Sequence, residues 1–112
     1  GFGNINPQYG RYDTNFADYP KGSRDGYLDL FSQVFNGSCA KLDSSLQKTS
    51  DWILFSKVNY ELLGPNSNSY VRTLLHYAGL EVGSMRISAV GWGTLIPLDP
   101  AQEPTLGYPR YR

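Results

Sequence analysis

Apolar side chains recur along this chain at the spacing of helices, and three segments show the pattern. In the first segment six apolar residues lie three and four positions apart: Tyr27, Leu28, Leu30, Phe31, Val34 and Phe35. Asp25 precedes the run and is a suitable N-cap, while Gly37 ends it. The pattern predicts a helix over residues 25–36.

A second amphipathic segment predicts a helix over residues 38–49. Five apolar residues share one stripe here and just beyond: Cys39, Leu42, Leu46, Trp52 and Ile53. Ser50 and Asp51 interrupt the stripe with cap-forming side chains and are expected to begin a further short helix or a turn. Free cysteine on an apolar stripe behaves as a small hydrophobe, so Cys39 is expected to be buried.

A third helix is predicted over residues 68–78. Turn-forming and cap-forming residues fill the stretch from Gly64 to Ser69, and Gly79 stands where a left-handed C-terminal cap belongs. Four apolar residues follow the i, i+3, i+4, i+7 pattern and are expected to face the core: Val71, Leu74, Leu75 and Ala78.

Two further segments alternate polar and apolar residues. Residues 57–63 fit either a strand or a helix, and the alternation around Met85 and Ile87 predicts a short strand between Leu80 and Val90. The expected fold is therefore α+β, with two or three helices packed on a small antiparallel sheet.

The two ends of the chain lack any sustained period and are expected to be extended arms around a single domain. Residues 1–26 are rich in Gly, Asn, Asp and aromatic side chains, and residues 99–112 are rich in Pro and Gly. The first arm is expected to pack along the core at 27–98, or to face a partner or the rest of a parent chain.

Composition narrows the function classes. The 112 residues carry ten basic and ten acidic side chains, one His and one Cys, too few for a disulfide framework, a cysteine zinc cluster or a histidine-rich metal site. The balanced charge disfavours nucleic acid as a partner, and no apolar run is long enough for a membrane span. No cofactor or metal is expected.

The chain begins with Gly1 and its only methionine is Met85, so it is expected to be a piece of a longer polypeptide.

Candidate chemistry gathers just before the third helix. Five polar residues lie within two turns: Asn66, Ser67, Asn68, Ser69 and Arg72. Hydroxyls, amides and free backbone N–H groups at the positive end of a helix dipole stabilise an anion or a developing oxyanion. The same residue types are also preferred N-caps, so helix capping alone is the alternative interpretation.

The run Gly64-Pro65-Asn66-Ser67-Asn68-Ser69-Tyr70 resembles the GPNSN(S/T)(F/Y) motif of C-terminal toxin or effector domains in bacterial polymorphic toxins, including Rhs-type proteins. Residues 89–97, which contain Gly91-Trp92-Gly93, are similar to the Gly-Trp segment that follows the motif there. The resemblance implies a secreted or delivered toxin, with a cognate immunity protein and the remainder of a parent polypeptide as partners.

The frame from Tyr60 to Val71 more distantly resembles the nucleophile segment of circularly permuted papain-like amidases and acyltransferases. On that frame Asn66 and Ser67 take the Asn and Cys positions and are the implied catalytic residues. No histidine precedes Ser67, and His76 lies nine helical residues away, roughly 13 Å. A serine without a base is a weak nucleophile.

Two functions are therefore expected as alternatives. The first is a toxin or effector of hydrolase or transferase type, with its pocket at the start of the helix over 68–78. Its catalytic residues are Ser67 and Asn66, and its binding residues are Asn68, Ser69, Arg72 and Trp92. The second is a non-catalytic binding or structural module that engages a protein partner through Tyr and Trp surfaces. Because of its flanking glycines, Trp92 is expected to lie against or beside the start of the third helix.

Overall fold

The computed structural model describes residues 3–7, 35–80 and 89–105, and its regular structure is helical. Helix α1 runs over Cys39–Ser56, helix α2 over Ser67–Tyr77, and a single 3-10 turn over Pro100–Gln102. These ranges contain no strand. The α+β fold with an antiparallel sheet is therefore wrong for the described part of the chain, which is helix-dominated.

The alternation in residues 57–63 produces one isolated antiparallel bridge, between Asn4 and Asn59. Its two backbone hydrogen bonds join Ile5 N–H to Val58 O and Tyr60 N–H to Gly3 O, each at 2.7 Å. The chain turns immediately afterwards, so the pairing cannot propagate into a ladder. The short strand predicted between Leu80 and Val90 falls largely in residues 81–88, outside the described residues.

Helix α1 is longer than the predicted 38–49. It begins at the Ser38 N-cap, whose side chain accepts a hydrogen bond from Lys41 N–H at 3.0 Å. It ends at Lys57, a left-handed residue with φ 52°. Ser50 does not start a new helix but lies within α1, and its buried hydroxyl bonds the Tyr70 hydroxyl at 2.9 Å on the neighbouring helix. The helix predicted over 25–36 lies outside the described residues except for Phe35 and Asn36, which are not helical.

Helix α2 confirms the predicted helix over 68–78, starting one residue earlier and followed by Ala78 as its C-cap. Gly79 has φ 80° and donates its N–H to His76 O at 3.1 Å, while Leu80 N–H reaches Leu75 O at 2.8 Å. This pair of bonds is the Schellman arrangement, in which a left-handed glycine satisfies the last free carbonyls of a helix.

The predicted buried face of α2 is only partly confirmed, because Leu74 packs against the core but none of the four residues is fully buried. Val71 is 47% exposed, and Leu74, Leu75 and Ala78 are only partly buried. The fully buried positions are Ser69 and Thr73, one turn apart on another face. Hydroxyl groups are tolerated there because both are hydrogen-bonded, which removes most of the cost of burial.

The apolar core of the described residues is small and drawn from distant parts of the chain. Ile5, Ile53 and Ile96 form its buried centre. Five partly buried hydrophobic residues pack around it: Val58, Tyr60, Tyr70, Leu74 and Leu98. Cys39 is exposed, contrary to the prediction, because it lies in the first turn of α1, whereas the buried residues of that helix lie from Thr49 onward.

The segment from Asp99 to Thr105 docks on α1 instead of extending away as an arm. Trp52 donates its indole N–H to Asp99 O at 2.7 Å, and Asp99 N–H reaches the Ser56 hydroxyl at 2.9 Å. Lys48 and Glu103 form an exposed ion pair at 3.2 Å. Residues 106–112 of the predicted tail, and all of the predicted first arm except 3–7, lie outside the described residues.

Candidate functional site

The chain enters α2 through a tight turn over residues 61–65. Glu61 N–H donates to Pro65 O at 2.7 Å, and Gly64 N–H donates to Glu61 O at 3.0 Å. Gly64 has φ 106°, and the Gly64–Pro65 peptide bond is cis. The turn therefore delivers Asn66 to the helix start in an orientation fixed by backbone hydrogen bonds.

Asn66 is the buried N-cap of α2 and uses both ends of its side-chain amide. Its Oδ1 accepts from Asn68 N–H at 3.0 Å and Ser69 N–H at 3.2 Å. Its Nδ2 donates to Leu62 O at 3.0 Å and Val90 O at 2.9 Å. Two of the free N–H groups at the start of α2 are thus already occupied by this side chain.

Ser69 completes a reciprocal capping box with Asn66. The Asn66 N–H donates to Ser69 Oγ at 3.1 Å, and the Ser69 hydroxyl donates to Gly91 O at 2.7 Å. Such boxes satisfy two free helix donors without outside groups. Ser69 therefore supports the helix start and its neighbouring loop, and its buried position keeps it away from a ligand in solvent.

The Gly-Trp loop, residues 89–94, is held against the start of α2 by further polar contacts. Asn68 Nδ2 donates to Val90 O at 2.9 Å, and Arg72 Nη1 donates to Trp92 O at 3.0 Å. The Arg72 guanidinium carbon also lies 5.7 Å from the centroid of the Trp92 ring, a cation–π distance. Trp92 is only 7% exposed. Its predicted position beside the start of the helix is confirmed.

Ser67 lies apart from this network. It is exposed at the first position of α2, and its side chain makes no hydrogen bond within the described ranges. His76 is exposed near the other end of the same helix, with its ring edge-on to Tyr77 at a centroid distance of 5.0 Å. The structure therefore brings Asn66, Asn68, Ser69, Arg72 and Trp92 together and leaves Ser67 without a histidine partner.

Two residues that the sequence interpretation missed extend the network into the core. The Thr73 hydroxyl donates to Ser69 O at 2.7 Å and accepts from Ile96 N–H at 2.9 Å. Tyr70 bonds Ser50, and burial raises the pKa of its phenol, an effect that outweighs the lowering by the Ser50 hydrogen bond. Ser69 and Thr73 stand four residues apart on one helical face, and this hydroxyl stripe was the available sequence signal.

The described ranges contain neither a metal-binding group of side chains nor a membrane-spanning helix. No group of three or more His, Cys, Asp or Glu side chains there could hold a metal ion. Neither described helix is both long and apolar enough to cross a bilayer. No protein-family model, curated protein or solved structure was found to match the sequence.

Proposed function

We propose that this chain is a non-catalytic binding module of the bacterial toxin or effector type. The proposal rests on Asn66, whose side-chain oxygen and nitrogen both form hydrogen bonds within the chain. The motif over residues 64–70, which contains Asn66, therefore serves to join α2 to the Gly-Trp loop. The effector assignment rests on the resemblance of residues 64–70 to the polymorphic-toxin motif.

The alternative, a hydrolase or transferase acting through Ser67, is less well supported by the described residues for two reasons. A serine nucleophile needs a base within hydrogen-bond reach, and the only histidine of the chain is His76. An oxyanion needs unoccupied donors, and Asn66 Oδ1 already accepts from the backbone N–H groups of residues 68 and 69. Capping therefore explains the polar cluster better than catalysis does.

The same network presents apolar side chains to solvent. Leu62 is 67% exposed, Leu63 is 80% exposed, and Val90 is also exposed. The carbonyls of Leu62 and Val90 both accept from Asn66 Nδ2, so their backbones are fixed close together. We name Leu62, Leu63 and Val90 the leucine-turn surface. Burying one leucine against a partner is worth roughly 1.5–3 kcal/mol.

This surface replaces the Tyr and Trp surfaces expected from the sequence. Trp92 is buried against Arg72 and cannot be the main contact with a partner. Rigid display of apolar side chains lowers the entropy cost of binding, since the turn needs no reordering. The proposed partner is a protein of the target cell, reached after secretion or delivery, whose capture inhibits growth. A cognate immunity protein, and before delivery the remainder of the parent polypeptide, are proposed to cover the same surface.

Growth inhibition distinguishes the two functions. The chain is expressed in bacterial cytoplasm and periplasm as wild type, as Ser67→Ala, and as the double variant Leu62→Ser/Leu63→Ser. Leu54→Ser, which changes an exposed leucine on α1, is the matched control. Ser67→Ala and Leu54→Ser are expected to inhibit growth as the wild type does, and the double variant is expected to lose inhibition while keeping its melting temperature.

A covalent probe tests catalysis without depending on toxicity. A fluorophosphonate labels serines that a base has activated, so no adduct is expected on Ser67. Labelling of Ser67, or loss of toxicity in a folded Ser67→Ala variant, would return the assignment to a hydrolase. Absence of growth inhibition in both compartments would remove the toxin part of the proposal and leave the binding module to be judged by partner capture with and without the double substitution.

A further inference from the structure

Asn36 and Gly37 form an exposed bend immediately before α1. Ser38, the next residue, is the N-cap of that helix. We propose that Asn36-Gly37 is a site of spontaneous covalent modification, in which Asn36 deamidates and the backbone partly isomerises to isoaspartate. The proposal is independent of the function proposed above.

The reaction needs only water and the chain itself. The backbone nitrogen of Gly37 loses its proton to hydroxide and attacks Cγ of Asn36. A bond forms between that nitrogen and Cγ, the bond between Cγ and Nδ2 breaks, and ammonia leaves with a proton from water. Water then opens the resulting succinimide at either carbonyl, which gives aspartate or isoaspartate. No oxidant or reductant takes part.

The local structure keeps this pair reactive. Both residues are exposed, and the Asn36 side chain makes no hydrogen bond to any part of the chain that the structure describes. Glycine offers no side chain to hinder the attacking nitrogen.

Three other asparagines are natural comparisons within the same chain. Asn66 and Asn68 have their side-chain amides hydrogen-bonded to the Gly-Trp loop. Asn59 is exposed like Asn36, but Tyr60 follows it and its bulk hinders the nitrogen that would attack. Exposure and the following glycine coincide at Asn36 alone among these four.

The product changes the charge in front of α1. The chain has a formal net charge of zero, and the first turn of α1 holds no acidic residue. Conversion adds one negative charge ahead of the helix N-terminus, where a carboxylate is favourable. Isoaspartate also lengthens the backbone between residues 36 and 37 by one methylene, which changes how the chain reaches the Ser38 N-cap. The chain is therefore expected to age into two distinct acidic forms.

The test follows the native chain by ion exchange and peptide mass mapping at several pH values near and above neutrality. Asn36 is expected to convert at least about tenfold faster than Asn59. Its rate is expected to rise about tenfold per pH unit, because the attacking amide must lose its proton. Asn36→Gln, whose longer side chain closes a less favourable ring, is expected to abolish the acidic forms.

The denatured chain supplies the second comparison. In denaturant the rate at Asn36 is expected to stay near its native value, whereas Asn66 and Asn68 are expected to speed up as their hydrogen bonds are lost. A native Asn36 that converts no faster than Asn59 would overturn the proposal. So would a rate at Asn36 that rises sharply on denaturation, or acidic forms that persist in Asn36→Gln.

Discussion

The side chain of Asn66 lies so close to the α-carbon of Gly91 that residue 91 has no room for a β-carbon. Such an atom would stand 2.6 Å from both Cγ and Nδ2 of Asn66. Gly91 also has φ 90°, which other residues rarely adopt. The contact sets the distance between the start of α2 and the Gly-Trp loop, and it makes residue 91 a glycine for two separate reasons.

Gly91→Ala is expected to lower the free energy of unfolding by about 2–5 kcal/mol. The left-handed backbone costs an alanine about 1–2 kcal/mol, and forcing a methyl group against a buried side chain costs about 1–3 kcal/mol more. Urea unfolding followed by circular dichroism measures the loss. A change below about 1 kcal/mol would contradict the close packing of residues 66 and 91.

Two other glycines separate the contributions of strain and packing. Gly79 has φ 80° but open space around a β-carbon, so Gly79→Ala is expected to cost about 1 kcal/mol from strain alone. Gly93 has open space and no positive φ, so Gly93→Ala is expected to stay within about 0.5 kcal/mol of wild type. Equal losses in all three variants would show that the contact with Asn66 contributes nothing.

Asn66→Ala is expected to destabilise the chain by about 1.5–5 kcal/mol. The substitution removes an N-cap worth about 0.5–2 kcal/mol and two hydrogen bonds to the carbonyls of Leu62 and Val90, each worth about 0.5–1.5 kcal/mol. Ser67→Ala, next in the chain and exposed, is the matched control and is expected to change stability by less than about 0.5 kcal/mol. Similar losses in both variants would contradict the central role of Asn66.

Cap-forming residues at its two ends allowed α2 to be predicted from the sequence. Other predictions were wrong because the outcome depended on contacts between distant residues. Asn66 and Gly79 mark the ends of α2 through backbone chemistry within a few residues of each end. Ser50 also has cap chemistry, yet it lies inside α1, where its hydroxyl is bonded to Tyr70, twenty residues later. A cap-forming residue in a sequence does not reveal whether a partner elsewhere in the chain will occupy it.

In the candidate site, too, the features set by nearby residues were predictable and those set by distant residues were not. The polar cluster at residues 66–69 and its proximity to Trp92 were predictable from cap-forming residues and flanking glycines. The buried face of α2 was not, because burial of Ser69 and Thr73 depends on acceptors and donors at Gly91 and Ile96, more than twenty residues away. Apolar periodicity assigns hydroxyl groups to solvent unless such partners are known.

Thr73→Val is expected to cost about 1–3 kcal/mol although it preserves the shape of the side chain. The substitution removes the acceptor of the Ile96 N–H and leaves that buried donor unsatisfied. Amide hydrogen exchange at Ile96 is expected to accelerate. Thr73→Ser keeps the hydroxyl and loses one methyl group, worth about 0.8 kcal/mol, so it should leave exchange at Ile96 nearly unchanged. Slow exchange at Ile96 in Thr73→Val would contradict the bond.

The unfolding free energy is expected to fall as the pH rises above 10, and Tyr70 is expected to contribute to the fall. Burial raises the pKa of Tyr70 above its ordinary value of 10.0 in the folded chain. Between these two pKa values the unfolded state loses the phenolic proton first, so alkaline pH favours unfolding. Denaturant titrations of wild type and Tyr70→Phe across this range measure the effect. Parallel pH profiles for the two proteins would contradict it.

Trp92, a residue of the Gly-Trp loop, is expected to stay shielded from solvent only while Asn66 holds the loop in place. In a Trp52→Phe background the remaining fluorescence comes from Trp92, whose indole is packed against Arg72, so iodide should quench it weakly. Adding Asn66→Ala removes one of the two side-chain amides that bond Val90 O, and quenching is expected to rise toward that of a free indole. Adding Ser67→Ala should leave quenching low, since Ser67 is exposed and none of the hydrogen bonds that hold the loop involves its side chain. Melting curves establish that each variant is folded under the conditions of the measurement.

Strong quenching before Asn66 is changed would place Trp92 in solvent. Unchanged weak quenching in a folded Asn66→Ala variant would show that Asn68, Ser69 and Arg72 hold the loop without Asn66.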